Sequence, residues 1–209
     1  EPGVAFNLAV ALFFALTVAS AYSIVYNLAE GTRQSAAQNK LGHTFWSPSV
    51  AGICAGLFVA VLGNLDGAIQ VGQGIWRAVI LGKSFGGFDF WRSSRMMPPD
   101  PPGHEITEFP FFTFLFADLH AHLMALPVTL LVLGLSLAVI MAATNRNRDQ
   151  SNCRTEELIR LAVLGITVGS LRLINAWDFP TYLIIGVLSV ILAEYYSHGG
   201  LGLTAMFKA

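Results

Sequence analysis

Residues able to act as acids, bases or metal ligands are concentrated between His104 and Pro127, in the stretch HEITEFPFFTFLFADLHAHLMALP. The stretch carries two glutamates, one aspartate and three histidines around a run of phenylalanines, directly before an apolar segment. Carboxylates and imidazoles are the side chains that most often move protons in enzymes. Because ionisable groups at a membrane boundary are costly, they tend to mark chemistry or transport there.

The pattern Asp118-Leu119-His120-Ala121-His122 is compatible with two local structures. In an extended segment alternate residues face the same way, so Asp118, His120 and His122 could together bind one divalent metal ion. On a helix, Asp118 and His122 share a face while His120 points away. The alternative is a helix cap, in which Asp118 accepts first-turn amide hydrogens and the histidines lie in the headgroup layer. Catalysis is compatible with either structure.

Four further charged residues precede this pattern and are candidates for a site. Glu105 and Glu108 are three residues apart and could act as a base or as metal ligands, or simply keep a loop solvated. Arg92 and Arg95 have the same spacing and could clamp a phosphate in a bidentate way, or contact lipid headgroups. The residue types leave both alternatives open for each pair.

Arg172 lies near the end of an apolar segment with few other charges. It could pair with Asp178, extend toward the membrane surface, or bind an anionic ligand. Arg172 and Asp178 are therefore candidates for substrate binding.

The phenylalanine run comprises Phe109, Phe111, Phe112, Phe114 and Phe116. Aromatic residues often form a belt at the membrane interface without any further function. The more specific alternative is that these phenylalanines line a groove that binds an isoprenoid or another lipid chain.

The composition identifies a membrane protein. Apolar residues make up 54% of the 209 residues and charged residues only 12%, whereas soluble domains usually carry about 25% charged residues. The net charge of −1 and the absence of a basic run argue against a nucleic-acid partner. Cys54 in an apolar segment and Cys153 in a polar one do not form a disulfide framework.

Five segments approach the length of about 20 apolar residues that a helix needs to cross a bilayer. They are residues 4–26, 49–65, 119–144, 158–177 and 180–197. Glycines spaced as GxxxG, which permit close helix contact, occur at Gly52 and Gly56 and at Gly165 and Gly169. The sequence therefore predicts an all-α, polytopic membrane helix bundle of about five transmembrane helices, with residues 1–209 as a single membrane domain.

The topology brings the candidate residues to one face. The short, arginine-rich connection at 145–157 is expected in the cytoplasm, which places the long loop 66–109 outside, with an interfacial helix over 67–81. The start of the third predicted helix and the end of the fourth share that outer face. The residues concerned are Arg92, Arg95, Glu105, Glu108, Asp118, His120, His122, Arg172 and Asp178.

Four motifs resemble the Chlor-Arch YYY family of multi-pass membrane proteins: GNLDG at 63–67, FWRSSR at 90–95, ITEFPFFTFLFADLHAHLMALP at 106–127 and INAWDFPTY at 174–182. The opening segment EPGVAFNLAVALFFALT is also similar to that family, so the resemblance covers nearly the whole chain. The tyrosine triplet of the family name is expected upstream of Glu1, because Tyr195-Tyr196 is only a pair in another context. The chain is therefore expected to be a piece of a longer polypeptide.

That family is similar in layout to the GT-C membrane glycosyltransferases, which use polyprenyl-phosphate-linked sugar donors at the outer membrane face. The resemblance implies a multi-pass cell-membrane protein that binds membrane lipids, polyprenyl phosphate among them. It also implies a catalytic base, with Asp118 as the first choice and Glu105 or Glu108 as rivals.

The remaining roles follow from the same resemblance. Arg92, Arg95 or Arg172 would stabilise the leaving lipid phosphate. His120, as a catalytic residue, and His122 would position the acceptor or hold a divalent metal. No other cofactor is implied.

Two other classes of function remain open. A scaffold or accessory subunit, bound to other membrane subunits, would use the two GxxxG pairs for assembly; a pigment-binding version would use His120 or His122 as an axial ligand. A metal-dependent hydrolase or transporter would be built on the Asp118, His120 and His122 pattern.

Overall fold

The computed structural model describes residues 1–38, 47–62, 65–89, 92, 110–144 and 153–198. All regular structure within these residues is α-helical, so the predicted all-α helix bundle is confirmed. The described helices are α1 (Pro2–Gln38), α2 (Pro48–Ala60), α3 (Leu65–Val79), α4 (Pro110–Phe116), α5 (Ala121–Thr144), α6 (Cys153–Ile174) and α7 (Phe179–His198).

Three of the described helices are long and apolar enough to cross a membrane: Pro2–Gln34, Ala121–Thr144 and Phe179–Ser197. The pair α2 and α3, bent by 91°, would make a fourth if it counts as one span. This is fewer than the five predicted. Helix α6 carries Arg154, Glu156, Glu157, Arg160 and Arg172 and is too highly charged to qualify, and α2, with 13 residues, is too short to cross alone.

The first GxxxG pair brings α2 against α1, as its spacing predicts. Ser47 caps α2 by accepting a hydrogen bond from the Val50 amide at 3.2 Å, and Pro48 occupies the first helical position. Gly52 is buried against Tyr22 and Gly56 against Val18, so the two helices run antiparallel. A Cβ atom on Gly52 would lie only 2.7 Å from the Tyr22 ring.

The second GxxxG pair makes no such contact. A Cβ atom placed on Gly165 or Gly169 would have no neighbour within 4 Å in the described part of the chain. Helix α6 instead packs through Leu164, Val168 and Leu171. The Gly165 face of α6 is therefore an exposed surface.

The main core joins α5, α6 and α7. Buried residues of α5 such as Val132 and Val139 pack with Leu164 and Val168 of α6 and Ala193 of α7. Helix α1 lies alongside α5 and runs parallel to it, with Ile24 near Gly134 and Gly31 near Met141. Helices α5 and α7 start where α6 ends, so the bundle has two distinct ends.

We call the two ends of the bundle the Asp118 end, where α5 and α7 begin, and the Arg160 end, where α5 and α7 finish and α6 begins.

The predicted helix over 67–81 is present as α3, and its apolar residues Ile69, Ile75, Trp76 and Val79 are exposed. Its position in the membrane surface stays a prediction.

Candidate functional site

The Asp118 end is organised by a tight connection between α4 and α5. Helix α4 ends at Phe116, and Ala117 adopts a positive φ of 56°, a conformation that costs a non-glycine residue about 1–2 kcal/mol. The His120 amide then donates to the Asp118 carbonyl at 2.8 Å, and α5 opens with the Met124 amide bonded to the His120 carbonyl at 3.1 Å. Asp118 therefore precedes the helix and lies in a turn.

Asp118 and His120 form a carboxylate–imidazole pair. The Nδ1 atom of His120 lies 2.9 Å from Oδ2 of Asp118, and both side chains are about half exposed. A hydrogen bond from Nδ1 to the carboxylate leaves the lone pair of Nε2 as a proton acceptor. The carboxylate thus orients the imidazole, and the pair has the chemistry of a general base.

The turn does not assemble the predicted metal site. Sharing one metal ion required Asp118, His120 and His122 to alternate along an extended segment, but the turn and the start of α5 at Ala121 break that alternation. The His120 and His122 rings meet edge to face at 5.4 Å. Among the described residues, no group of three or more histidine, cysteine or acidic side chains is placed to hold a metal ion.

Asp178 is part of the turn between α6 and α7. Its Oδ2 atom accepts from the Asn175 side-chain amide at 2.9 Å, and its carbonyl accepts from the Tyr182 amide at 3.1 Å. Of the three alternatives for Arg172, the ion pair with Asp178 is not formed, and the guanidinium group lies 5.8 Å from the Phe179 ring centroid. Within the described residues Arg172 makes no ion pair, and it is exposed at the Asp118 end.

Arg92 is held by an acidic partner rather than presented for a phosphate. Its Nη2 atom lies 2.7 Å from Oδ1 of Asp66 on α3, and its backbone amide donates to Asp89 at 3.1 Å. Gln70 completes this arrangement by donating to Asp66 at 2.8 Å and by bonding both the amide and the carbonyl of Asp89, at 2.8 and 2.9 Å. Arg95, Glu105 and Glu108 lie outside the described residues.

Gln70, which was not among the site residues predicted from the sequence, holds Asp89 on α3 through two hydrogen bonds. Replacing Gln70 by alanine removes both hydrogen bonds to Asp89 and is expected to speed hydrogen exchange of the Asp89 amide about tenfold. Hydrogen-exchange mass spectrometry measures this directly. Gln73→Ala, at an exposed position on the same helix, is the matched control and should leave that amide unchanged. Equal exchange in the two variants would contradict the role of Gln70.

An apolar groove lies beside the turn. It has a volume of about 410 Å³ and is lined by Asn7, Val10, Ala11, Phe14, Val61, Phe114 and Leu115. Phe112 and Phe114 are buried, and the Phe114 ring packs edge to face on Phe14 at 5.2 Å. These two phenylalanines are packing residues rather than a lipid-facing belt, and Phe114 leads in three residues to Ala117 and the turn.

The amino-acid sequence was compared with known proteins. Residues 1–207 match the model of a family described as uncharacterized membrane protein (DUF2298). No curated protein and no solved structure matches the chain. Because the match covers almost every residue, the chain belongs to this family of membrane proteins.

Proposed function

We propose that the chain is part of a cell-membrane enzyme that transfers a sugar from a polyprenyl-phosphate donor at the outer membrane face. The observation that carries this proposal is the proximity in sequence and fold of a base and an apolar groove. The Asp118–His120 pair follows directly on α4, whose Phe114 and Leu115 line the groove.

The pair supplies the base that the reaction needs. The imidazole, oriented by Asp118, removes the proton of an acceptor hydroxyl, and the acceptor oxygen forms a bond to the sugar carbon. The bond between that carbon and the phosphate oxygen breaks, and the lipid phosphate leaves with the electron pair. Glu105 and Glu108 remain rivals for the role of base.

Arg172 is the described cation best suited to the leaving phosphate. It is exposed at the same end of the bundle and makes no ion pair with the described residues, whereas Arg92 is already bound to Asp66. A guanidinium group stabilises phosphate charge through several parallel hydrogen bonds. His122 and Asp178 would border the acceptor, next to His120 and α7 respectively.

The groove would hold the polyprenyl chain. Its volume falls within the range of about 300–1,000 Å³ usual for ligand sites, and Asn7 is the one polar residue in its lining. The motifs that resemble the Chlor-Arch YYY family, which is similar in layout to the GT-C glycosyltransferases, are the reason for proposing this substrate class.

Filling the groove tests the proposal. In the full-length protein, reconstituted in vesicles with a polyprenyl-phosphate sugar, Leu115→Trp should raise the KM for the donor about tenfold, a loss of about 1.4 kcal/mol of binding. Leu131→Trp is the matched control, because Leu131 is 46% exposed like Leu115 but lies outside the groove. Equal KM values in both variants would reject the groove as the donor site.

An accessory subunit is the second candidate function, and the exposed Gly165 face of α6 favours it. A GxxxG pair without a partner in the described chain can accept a helix of another membrane subunit. Native mass spectrometry of the complex from its own membrane distinguishes the two candidates. Gly165→Leu should release a stoichiometric subunit if assembly is the function, and should change nothing if it is not.

A further inference from the structure

A second polar site lies at the Arg160 end, away from the proposed transfer site. A cavity there is lined by Val139, Ala142, Ala143, Glu157, Arg160, Leu161, Val190, Ala193, Glu194 and Ser197. It lies between the last turns of α5 and α7 and the first turns of α6. Because α5 and α7 are candidate membrane spans that finish here, the cavity is expected at the membrane boundary.

We propose that this cavity binds the headgroup of an aminophospholipid, meaning a primary ammonium joined by two carbons to a phosphate. Glu157 and Glu194 recognise the ammonium, and Arg160 recognises the phosphate. The Nη2 atom of Arg160 contacts Glu156 at 2.9 Å, and a guanidinium group carries five N–H donors, so this contact does not exhaust them.

The helix ends favour the same orientation of the headgroup. The last turns of α5 and α7 present the negative ends of two helix dipoles, which attract a cation beside Glu194 and Ser197. The first turns of α6 present the positive end of its dipole, which attracts the phosphate beside Arg160. The charges of the side chains and of the backbone therefore agree.

The carboxylates that line the cavity favour a primary over a quaternary ammonium. A primary ammonium donates hydrogen bonds to carboxylates such as those of Glu157 and Glu194, and a quaternary one cannot.

The test is lipid binding to the purified, delipidated full-length protein, followed by native mass spectrometry. Phosphatidylethanolamine should bind about tenfold more tightly than phosphatidylcholine with the same acyl chains. Glu194→Gln keeps the shape of the side chain but should abolish this preference. Arg160→Gln should weaken both lipids about tenfold, because both carry the phosphate.

Glu30→Gln is the matched control. Glu30 also lies toward the Arg160 end, since its neighbour Gly31 approaches Met141, but it pairs with Arg33 outside the cavity. The control should keep the preference for ethanolamine. Equal binding of both lipids to the unmodified protein, or an unchanged preference in a folded Glu194→Gln variant, would overturn the proposal.

Competition with a soluble compound shows whether the ligand is a membrane lipid or a free headgroup compound. Glycerophosphoethanolamine should compete only weakly if the site takes a lipid, because it lacks the acyl chains whose apolar surface contributes to binding at the membrane boundary. Tight binding of the soluble compound together with no binding of phosphatidylethanolamine would overturn the lipid assignment. Melting temperatures of all variants, measured in the same detergent, confirm that each variant is folded.

Discussion

Replacing Asp118 by asparagine in the full-length protein is expected to abolish sugar transfer. The substitution removes the negative charge that orients the His120 imidazole at 2.9 Å and stabilises its protonated form. A positioned base contributes about 10²–10⁴-fold to a rate, so turnover should fall by at least about 100-fold. Transfer from a polyprenyl-phosphate sugar in reconstituted vesicles measures the effect.

A double replacement tests whether Asp118 and His120 act together as one base or contribute independently to the rate. If Asp118 acts through His120, then Asp118→Asn combined with His120→Gln should be no slower than the slower single variant. Multiplied losses would instead assign independent roles to the two residues. Glu30→Gln removes a carboxylate that lies outside the described site and should leave turnover unchanged. Unchanged turnover in Asp118→Asn would remove the residue from the mechanism.

Much of the fold could be predicted because lipid-compatible helices need long apolar runs, and these are visible in the sequence. The predicted segments 119–144 and 180–197 differ from α5 and α7 by at most two residues at either end. Helix α6 was harder, because its first turns carry four charged residues that a purely apolar span excludes: Arg154, Glu156, Glu157 and Arg160. Burial of one face against α5 and α7 stabilises it as a helix all the same.

The site was less predictable because its geometry depends on a single turn. The pattern around Asp118 permits an extended strand, a helix or a turn, and these place His120 in three different directions. The positive φ of Ala117, which no local sequence signal requires, accompanies the turn. The partner of Arg92 could not be predicted from the sequence either. Asp66 lies 26 residues earlier, and the two residues meet only because the segment that leads to Asp89 and Arg92 runs back along α3.

One feature of the sequence marks the cavity at the Arg160 end. Glu194 is the one charged residue of α7, within an otherwise apolar span. Ionisable residues within apolar spans tend to mark functional sites, so the residue type of Glu194 points to this end of the bundle. The pairing with α6, however, follows only from the antiparallel packing of α6 and α7.

Replacing Gly52 by leucine is expected to separate α1 from α2. A Cβ atom at this position would approach Tyr22 Cδ2 at 2.7 Å and the Tyr22 backbone carbonyl at 3.0 Å, and the backbone cannot move aside as a side chain can. Overpacking of this kind costs about 1–3 kcal/mol. Thermal unfolding in detergent should therefore show a lower melting temperature than that of the unmodified protein.

Cys54 is half-buried on α2 between Gly52 and Gly56, so the reactivity of its thiol measures the separation of α1 from α2 at this contact. In a Cys153→Ser background it is the single thiol of residues 1–209, and its reaction with a fluorescent maleimide should occur at lower temperature in Gly52→Leu. Gly165→Leu is the matched control, because the same residue type in the same spacing has no neighbour within 4 Å and gains helix propensity of about 0.8 kcal/mol. If both variants lose stability equally, the cost arises from leucine in these helices and not from the α1–α2 contact. A loss confined to Gly52→Leu assigns the first GxxxG pair to folding of this chain and leaves the second available for another helix.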